Sequence, residues 1–450
     1  MAEADWVRHA VWWQVYPLGF TGAWPQSGPT GPHRLSRLAN WLDYAVELGA
    51  SGLMLGPVFA AETHGYDTID HFRIDPRLGD EGTVDALIAA AHDRGLRVLL
   101  DGVFNHVGRG HPAFRAVLEQ GPTALTASWF RLTWPAGGWQ PGVEPTYESF
   151  EGHDSLVALN HLEPAVVRYV TDVLTHWLAR GADGWRLDAA YAVPTGFWAK
   201  VLAPVRAAYP EAYFVGEVIH GDYAGFVTAS GVDSVTQYEL WKAIWSALNS
   251  ANFFELTWAL ERHNTFLETF VPQTFLGNHD VTRIASKLTD ERDLPLALAL
   301  LCVLGGTPSV YYGDEQAFRG VKEDRIGGDD VVRPEFPAEP AGLAPYGWPT
   351  YRLHQDLIGL RRRHPWLHSA RSTTRHVTNE QVTLELSDGT VRLLLVLNVA
   401  GEPAGVPAPA GRTVLSGAAE LTAPGTDAAT ARLPAHSYAV LEATSRSSPG

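Results

Sequence analysis

Cysteine is almost absent. Cys302 stands alone, which excludes an internal disulfide and fits a reducing compartment. Positive charge is scarce: 34 Lys and Arg face 50 Asp and Glu, a net charge of −16. So acidic a surface argues against DNA, RNA or an anionic membrane as a partner. No apolar run reaches the roughly 18 residues that a membrane-crossing helix needs. The start, Met1-Ala2-Glu3-Ala4-Asp5-Trp6, lacks the basic and apolar stretches of a secretory signal, so a cytoplasmic protein is expected. Internal repeats and low-complexity tracts are missing as well.

What is present suits a large core. The chain has 450 residues, 46% hydrophobic and 19% charged, enough for two or three structural units, one of which can be a large barrel or doubly wound sheet. Sixteen tryptophans admit two uses, stacking faces for sugar rings or a Trp-rich core, and the count weighs them equally.

Up to about residue 365, short apolar runs alternate with amphipathic ones. The apolar runs are Val11–Tyr16, Gly52–Leu55, Arg97–Phe104, Gly184–Leu187, Tyr213–Gly216, Ser234–Tyr238, Gln273–Leu276 and Pro308–Tyr312. Near-continuous hydrophobicity predicts parallel strands buried on both faces. Between them, Arg34–Leu48 carries a helical stripe that stops at Gly49. Thr83 is placed to cap a helix ending at Gly95, and Pro164 fits the first turn of another that stops at Gly181. Eight such repeats predict a (β/α)8 TIM barrel. Strand counting leaves a doubly wound open sheet as the alternative.

Two regions break the rhythm. His111–Val157, rich in Gly, Pro and Trp, is too long for a βα loop and predicts a small inserted domain after the third strand. From about His368, Gln381–Leu386 and Val391–Asn398 flank Ser387-Asp388-Gly389, a hairpin signature that predicts a C-terminal antiparallel β-sandwich domain. The expected division is 1–106 and 161–367 for the barrel, 107–160 for the insertion, 368–443 for the β domain, and a disordered tail at 444–450.

Strand C-terminal ends face the active site of such a barrel. Here they are rich in carboxylates and histidines: Asp101-Gly102-Val103-Phe104-Asn105-His106, Gly184-Trp185-Arg186-Leu187-Asp188, Gly216-Glu217-Val218, and Phe275-Leu276-Gly277-Asn278-His279-Asp280. Arg186 and Asp188, two apart on a strand, share a face, so the cation is expected to keep the carboxylate ionised. Singly, each motif is more often a cap, a turn or a satisfied structural group. Their order at four strand ends argues against coincidence.

Read in that order, the segments resemble the α-amylase family of glycoside hydrolases. Asp154-Ser155-Leu156-Val157-Ala158-Leu159-Asn160 is similar to a stretch of neopullulanases and cyclomaltodextrinases, and Tyr311-Tyr312-Gly313-Asp314-Glu315 to the family's eighth-strand segment. The resemblance implies Asp188 as nucleophile, Glu217 as general acid/base and Asp280 as the third carboxylate, which holds sugar hydroxyls. It implies that Arg186 orients Asp188, that His106 and His279 bind hydroxyls, and that Tyr66 stacks on the sugar at the cleavage point. Asp101 matches a structural aspartate, and Asp329 with Arg333 a pair toward the non-reducing side. A glycosidic oxygen leaves only if protonated, which calls for an acid of raised pKa, assigned to Glu217; the cation-like carbon must be captured by a carboxylate on the opposite face. Retention of configuration predicts carboxyl groups roughly 5–5.5 Å apart, and inversion more than about 6.5 Å.

The sequence also departs from the family. Many members bind calcium through the asparagine matched by Asn105 and a histidine after the nucleophile, but Tyr191-Ala192 stands where Lys-His is common. Alanine cannot ligate a metal, and the Thr21–Pro32 loop contains no Asp, so no metal and no cofactor are expected. The resemblance implies that Tyr191 lines the leaving-group side, where losing the Lys weakens the case for long starch chains. The first strand begins within about fifteen residues, so the extra N-terminal β domain of neopullulanases is expected to be missing. A homodimer would need another surface. Trp134, Trp139, Tyr147, Tyr238 and Trp241 are candidate sugar platforms, with about half expected in the insertion's own core. The expected activity is retaining hydrolysis of α-1,4-glucosidic bonds, with α-1,6 bonds open, in short linear, branched or cyclic malto-oligosaccharides. Transfer to a sugar or to phosphate, by a transglycosylase, isomerase or phosphorylase, is the alternative. A catalytically dead scaffold is disfavoured because all three carboxylates are present.

Overall fold

The computed structural model describes residues 4–24, 33–325 and 327–443. The expected disordered tail, and most of the Thr21–Pro32 loop, lie outside the described residues.

The eight barrel strands are β1 (Trp12–Val15), β2 (Gly52–Leu55), β3 (Arg97–Val103), β4 (Gly184–Asp188), β5 (Tyr213–Gly216), β6 (Ser234–Val235), β7 (Gln273–Phe275) and β8 (Thr307–Tyr311). All pair in parallel with their sequence neighbours, β1 also pairs with β8, and a Thr236–Gln273 bridge joins β6 to β7. The sheet therefore closes on itself, which removes the open doubly wound alternative.

Alternate residues on each strand serve two different cores. Trp13, Leu53, Leu100, Trp185 and Phe214 pack with the surrounding helices. Trp12, Met54, Leu99, Tyr213 and Val215 form a separate cluster inside the barrel, plugged from below by Val7 and Trp6 of the one-turn segment Asp5–His9. Trp12 stacks on Tyr213 at 6.1 Å, with Trp6 edge-on to both. The barrel floor is apolar and aromatic for this reason. Six of the tryptophans (Trp12, Trp13, Trp41, Trp177, Trp185 and Trp198) are under 2% exposed, so much of the tryptophan belongs to the core.

Several local expectations need correction. The strand expected over Ser234–Tyr238 stops at Val235, because the Gln237 side chain caps the helix Tyr238–Ser250 by accepting from the Leu240 amide. Asp80, not Thr83, caps the helix Glu81–His92; Thr83 closes the reciprocal half of a capping box. The stripe over Arg34–Leu48 starts as a 3-10 helix, Arg34–Trp41, and becomes α-helical only over Leu42–Leu48.

Between β3 and the helix Pro164–Ala179, residues 112–158 form the helix Pro112–Gln120 and short strands. His153–Ala158 pairs with His106–Gly108 and with Ser149–Phe150 beside the barrel rim. Past the barrel, a five-stranded antiparallel sheet packs against a three-stranded one. Leu394, Val396, Ala439 and Leu441 of the first meet Val406, Ala431 and Leu433 of the second. The other face of the five-stranded sheet, including Leu384, Leu395 and Val440, joins the main core. Among the described residues, no helix is long and apolar enough to cross a membrane.

Gly184 faces the β5 backbone: a Cβ there would lie 2.0 Å from the Tyr213 carbonyl oxygen. Gly184→Ala should lower stability by about 3 kcal/mol through overpacking. Gly196→Ala, in the helix Thr195–Ala208 with nothing within 4 Å of the new methyl, should raise it by about 0.5 kcal/mol. Urea midpoints of the two variants check these opposite signs.

Candidate active site

The inward parity that fills the barrel floor also builds the site. Two residues beyond Leu99 on β3 comes Asp101; two and four beyond Gly184 on β4 come Arg186 and Asp188; two beyond Val215 of β5 comes Glu217. Arg186 and Asp101 are register partners on neighbouring strands. Arg186 Nη1 donates to both Asp101 oxygens at 2.7 Å and to Asp188 Oδ1 at 3.0 Å, while Nη2 pairs with Glu217 Oε1 at 2.9 Å. One buried guanidinium thus serves three carboxylates.

Arg186 therefore does not act on Asp188 alone. Burial pushes the Asp188 carboxyl well above the usual range; Arg186 pulls it down, and the charges of Glu217 and Asp101 push it back up. Asp101 is raised by burial too, against the pull of Arg186. Asp280 behaves oppositely. Burial raises it, but His279 and then Arg333 and Arg186 hold it far below the usual range. Its Oδ2 lies 2.9 Å from His279 Nε2, and its Oδ1 accepts from Arg333 Nη2 at 2.9 Å. Arg333 also donates to Asp329 at 3.1 Å.

These groups open into, or lie directly beneath, a cavity of about 380 Å³ at the barrel mouth. Tyr66, His106, Asp188, Tyr191, Glu217, Asp280, Asp329 and Arg333 line it. Asp101, Arg186 and His279, each at most 2% exposed, sit behind that lining and fix it. Tyr66 stacks on His279 at 5.1 Å, its hydroxyl donates to Asp101 Oδ2 at 3.2 Å, and that hydroxyl also meets His279 Nε2. His106 Nε2 contacts the Tyr66 carbonyl at 2.9 Å, and its ring stacks on Phe150 at 4.8 Å.

Sequence reading missed several participants. Asn278 donates to the Tyr238 hydroxyl at 2.8 Å and accepts from the Asp280 amide, so it sets both. Tyr238, expected as a stacking platform, donates to Glu217 Oε1 at 3.1 Å. The Ala189 amide, presented by a left-handed residue at φ 43°, donates to Glu217 Oε2 at 3.1 Å. Tyr16, just past β1, stacks on the His279 ring at 6.0 Å and lies under the Arg333 guanidinium. Its place after a strand end was the available signal. Phe150, Glu151 and Lys322 also line the cavity.

Among the described residues, no tryptophan lines this cavity. Trp134 and Tyr147 pack against the core, Trp139 lies over Gly121, and Trp241 stacks on Phe275 with its indole N–H donating to the Leu276 carbonyl. The aromatic faces toward a sugar are those of Tyr, Phe and His. The place implied for calcium, between Asn105 and Ala192, is a neighbouring cavity whose wall includes Arg131. Arg131 brings its own positive charge and pairs with Glu148, Asn105 contacts His106, and His161 is engaged by the Phe104 carbonyl. Among the described residues no three His, Cys, Asp or Glu side chains gather to hold a metal. This donor set does not fit a cation that needs about six to eight oxygens.

Because Asp188 binds its proton more tightly in the folded chain than in the unfolded one, the stability lent by that proton is full below the ordinary carboxylate range and is lost as pH rises through the raised value. An asparagine in its place would be neutral throughout. Asp188→Asn should therefore melt at or above the parent temperature, by about 1–2 °C at pH 8 and less at pH 5. Scanning calorimetry across that range reads the difference. Incubation with EDTA should leave the melting temperature within about 1 °C of the untreated protein.

The catalytic-domain model "Alpha amylase, catalytic domain" matches residues 14–382. A cyclomaltodextrinase of Geobacillus thermopakistaniensis is 29% identical over 432 residues, 90% of this chain and 71% of its own length. Neopullulanase 2 of Thermoactinomyces vulgaris is 30% identical over 387 residues, 80% of this chain and 63% of its own. The chain thus spans only part of either curated relative. The cyclic α-maltosyl-(1→6)-maltose hydrolase of Arthrobacter globiformis superposes with a TM-score of 0.82 at 26% identity, covering 99% of this chain and all of that one. With that match laid over a closed barrel whose strand ends converge on Arg186, the chain belongs to the α-amylase family of glycosidases.

Proposed function

We propose that the protein is a retaining glycosidase that hydrolyses α-glucosidic bonds in short linear, branched or cyclic malto-oligosaccharides. One observation carries the reading: Asp188 and Glu217, on adjacent strand ends, share the Arg186 guanidinium at 3.0 and 2.9 Å and face one cavity. Two carboxyl groups on one guanidinium, facing one cavity, suit double displacement.

In the first step Glu217 protonates the glycosidic oxygen as its bond to the anomeric carbon breaks. Asp188 attacks that carbon from the other face and forms a glycosyl ester. Glu217, now a carboxylate, takes a proton from water, whose oxygen displaces Asp188 and restores the starting configuration. The hydrogen bonds from Ala189 and Tyr238 aim Glu217. Asp280, held anionic by His279 and Arg333, is placed to accept sugar hydroxyls and to favour the cation-like ring. His106 serves as a further hydroxyl partner and Tyr66 as a stacking face, while His279, behind the lining, positions Tyr66 and Asp280.

A pocket bordered by Phe150, Glu151 and Lys322 suits short or compact substrates, and the names of the relatives, cyclomaltodextrinase and neopullulanase among them, agree. A cytoplasmic location suits the acidic chain and its single cysteine, and one relative is named an intracellular maltogenic amylase.

Glu217→Gln should lower kcat/KM on maltotriose, which reads the first step, by about 10³-fold. The loss should be much smaller on a nitrophenyl α-maltoside, whose weakly basic leaving group needs little help from an acid. Asp188→Ala should remove turnover of both. Chromatography of products from maltotriose, pullulan, cyclodextrins and isomaltose, with and without phosphate or glucose, reads bond preference and separates hydrolysis from transfer. Equal losses on both substrates for Glu217→Gln would contradict its role as acid.

A further inference from the structure

Beside the turn that follows Asp188, a strut borders the catalytic cavity. Tyr191, from the turn Ala190–Ala192 that follows Asp188, donates its hydroxyl to Glu151 Oε1 at 2.8 Å. Glu151 comes from the tip of the hairpin between Ser149–Phe150 and His153–Ala158. The hydrogen bond therefore crosses from the barrel to the inserted segment.

Behind the strut lies the second cavity, about 480 Å³, running over Arg131, Glu148, Ser149, His161 and Pro194. Phe150, Glu151 and Tyr191 line both cavities. The second is of a size that takes small ligands. Its lining, an aromatic face beside charged and hydroxyl groups, matches the alternating apolar and hydroxylated faces of a sugar.

The backbone at Glu151 is informative. Its φ is +50° and that of Gly152 is +79°, two successive left-handed residues joining paired strands, as in a tight hairpin turn. Asn, Asp or Gly is favoured at the first position, and a long side chain there is disfavoured. Disfavoured conformations persist mostly where function needs them, and this one delivers the carboxylate that makes the strut.

We infer that the Glu151–Tyr191 contact is a specificity-determining gate, and that the cavity behind it takes the distal glucose units of a longer α-glucan. Closed, the strut confines bound sugar to the first cavity and selects short substrates. Broken, it joins the two cavities and admits a longer chain. The inference rests on the proposed glucan hydrolysis.

The test compares maltotriose and maltoheptaose as substrates of the parent, Tyr191→Phe and Glu151→Asn. Tyr191→Phe keeps the ring and loses the donor. Glu151→Asn suits the turn and is too short to reach Tyr191. In both variants the kcat/KM ratio of maltoheptaose to maltotriose should rise about fivefold or more, carried by a lower KM for the longer sugar. Glu151→Asn should also melt no lower than the parent, which separates the gate from a merely structural role. An unchanged or lower ratio in both active variants overturns the gate. A parent inactive on both sugars overturns instead the hydrolase reading beneath it.

Discussion

Three carboxylates compete for one guanidinium at the top of the barrel, and the rest of the site is arranged around that shortage. Arg186 is 2% exposed, and Asp101, Asp188 and Glu217 are nearly as buried. Bringing such charges out of water costs several kcal/mol per ion, so well-packed apolar residues would serve stability at least as well. The barrel does pack apolar residues one layer lower, with Trp12, Leu99, Tyr213 and Val215. The change of chemistry between two layers of the same strands marks where folding requirements end and catalysis begins. Burial first, and then the excess of negative charge, raise the Asp188 carboxyl against the pull of Arg186.

The shortage explains why the neighbouring hydrogen bonds are so directional. Glu217 is fixed by a hydroxyl, an amide and the guanidinium, three donors from three different residues. The amide comes from Ala189, a left-handed residue directly after Asp188. An alanine there costs on the order of 1 kcal/mol, and it turns the backbone so that one strand end supplies both a carboxylate and the donor that orients its partner. Asp280 stands apart, with Arg333 and His279 on either side. Asp188 is thereby pushed up and Asp280 held down, although both face one pocket.

Much of this was legible in the sequence because the barrel writes its parity openly. Strands buried on both faces read as unbroken apolar runs, and the polar intrusions at their ends (Asp101, Arg186, Asp188, Glu217, Asp280) stand out against them. What failed to show were features without periodicity. Ser234–Tyr238 looks like a strand, yet Gln237 caps a helix, and the cap outweighs the pattern. Tryptophan number said nothing about placement; parity assigned Trp12 to the barrel floor and Trp13 and Trp185 to the helix layer. The sharing of Arg186 was hidden because i, i+2 spacing reveals Asp188 alone. Asp101 and Glu217 reach it through register with neighbouring strands.

The inserted segment raises a separate question, since it walls the pocket and must hold still for the pocket to have a shape. Its ties to the barrel are made by protein groups. The strand His106–Gly108 pairs with His153–Ala158, the Leu159 amide donates to the Asn105 carbonyl at 3.0 Å, and His161 engages the Phe104 carbonyl. Phe150 then lies flat on His106, and Tyr191 reaches back to Glu151. These ties converge on the residues just past β3 and β4, the same stretch that presents His106 and Asp188. Arg131, whose charge would repel a cation, stands at that junction and pairs with Glu148. Fixing the wall and fixing the catalytic strand ends are one structural task. That is why Tyr191, a few residues past Asp188 on one side and bonded to the insertion on the other, sits where substrate length can be read.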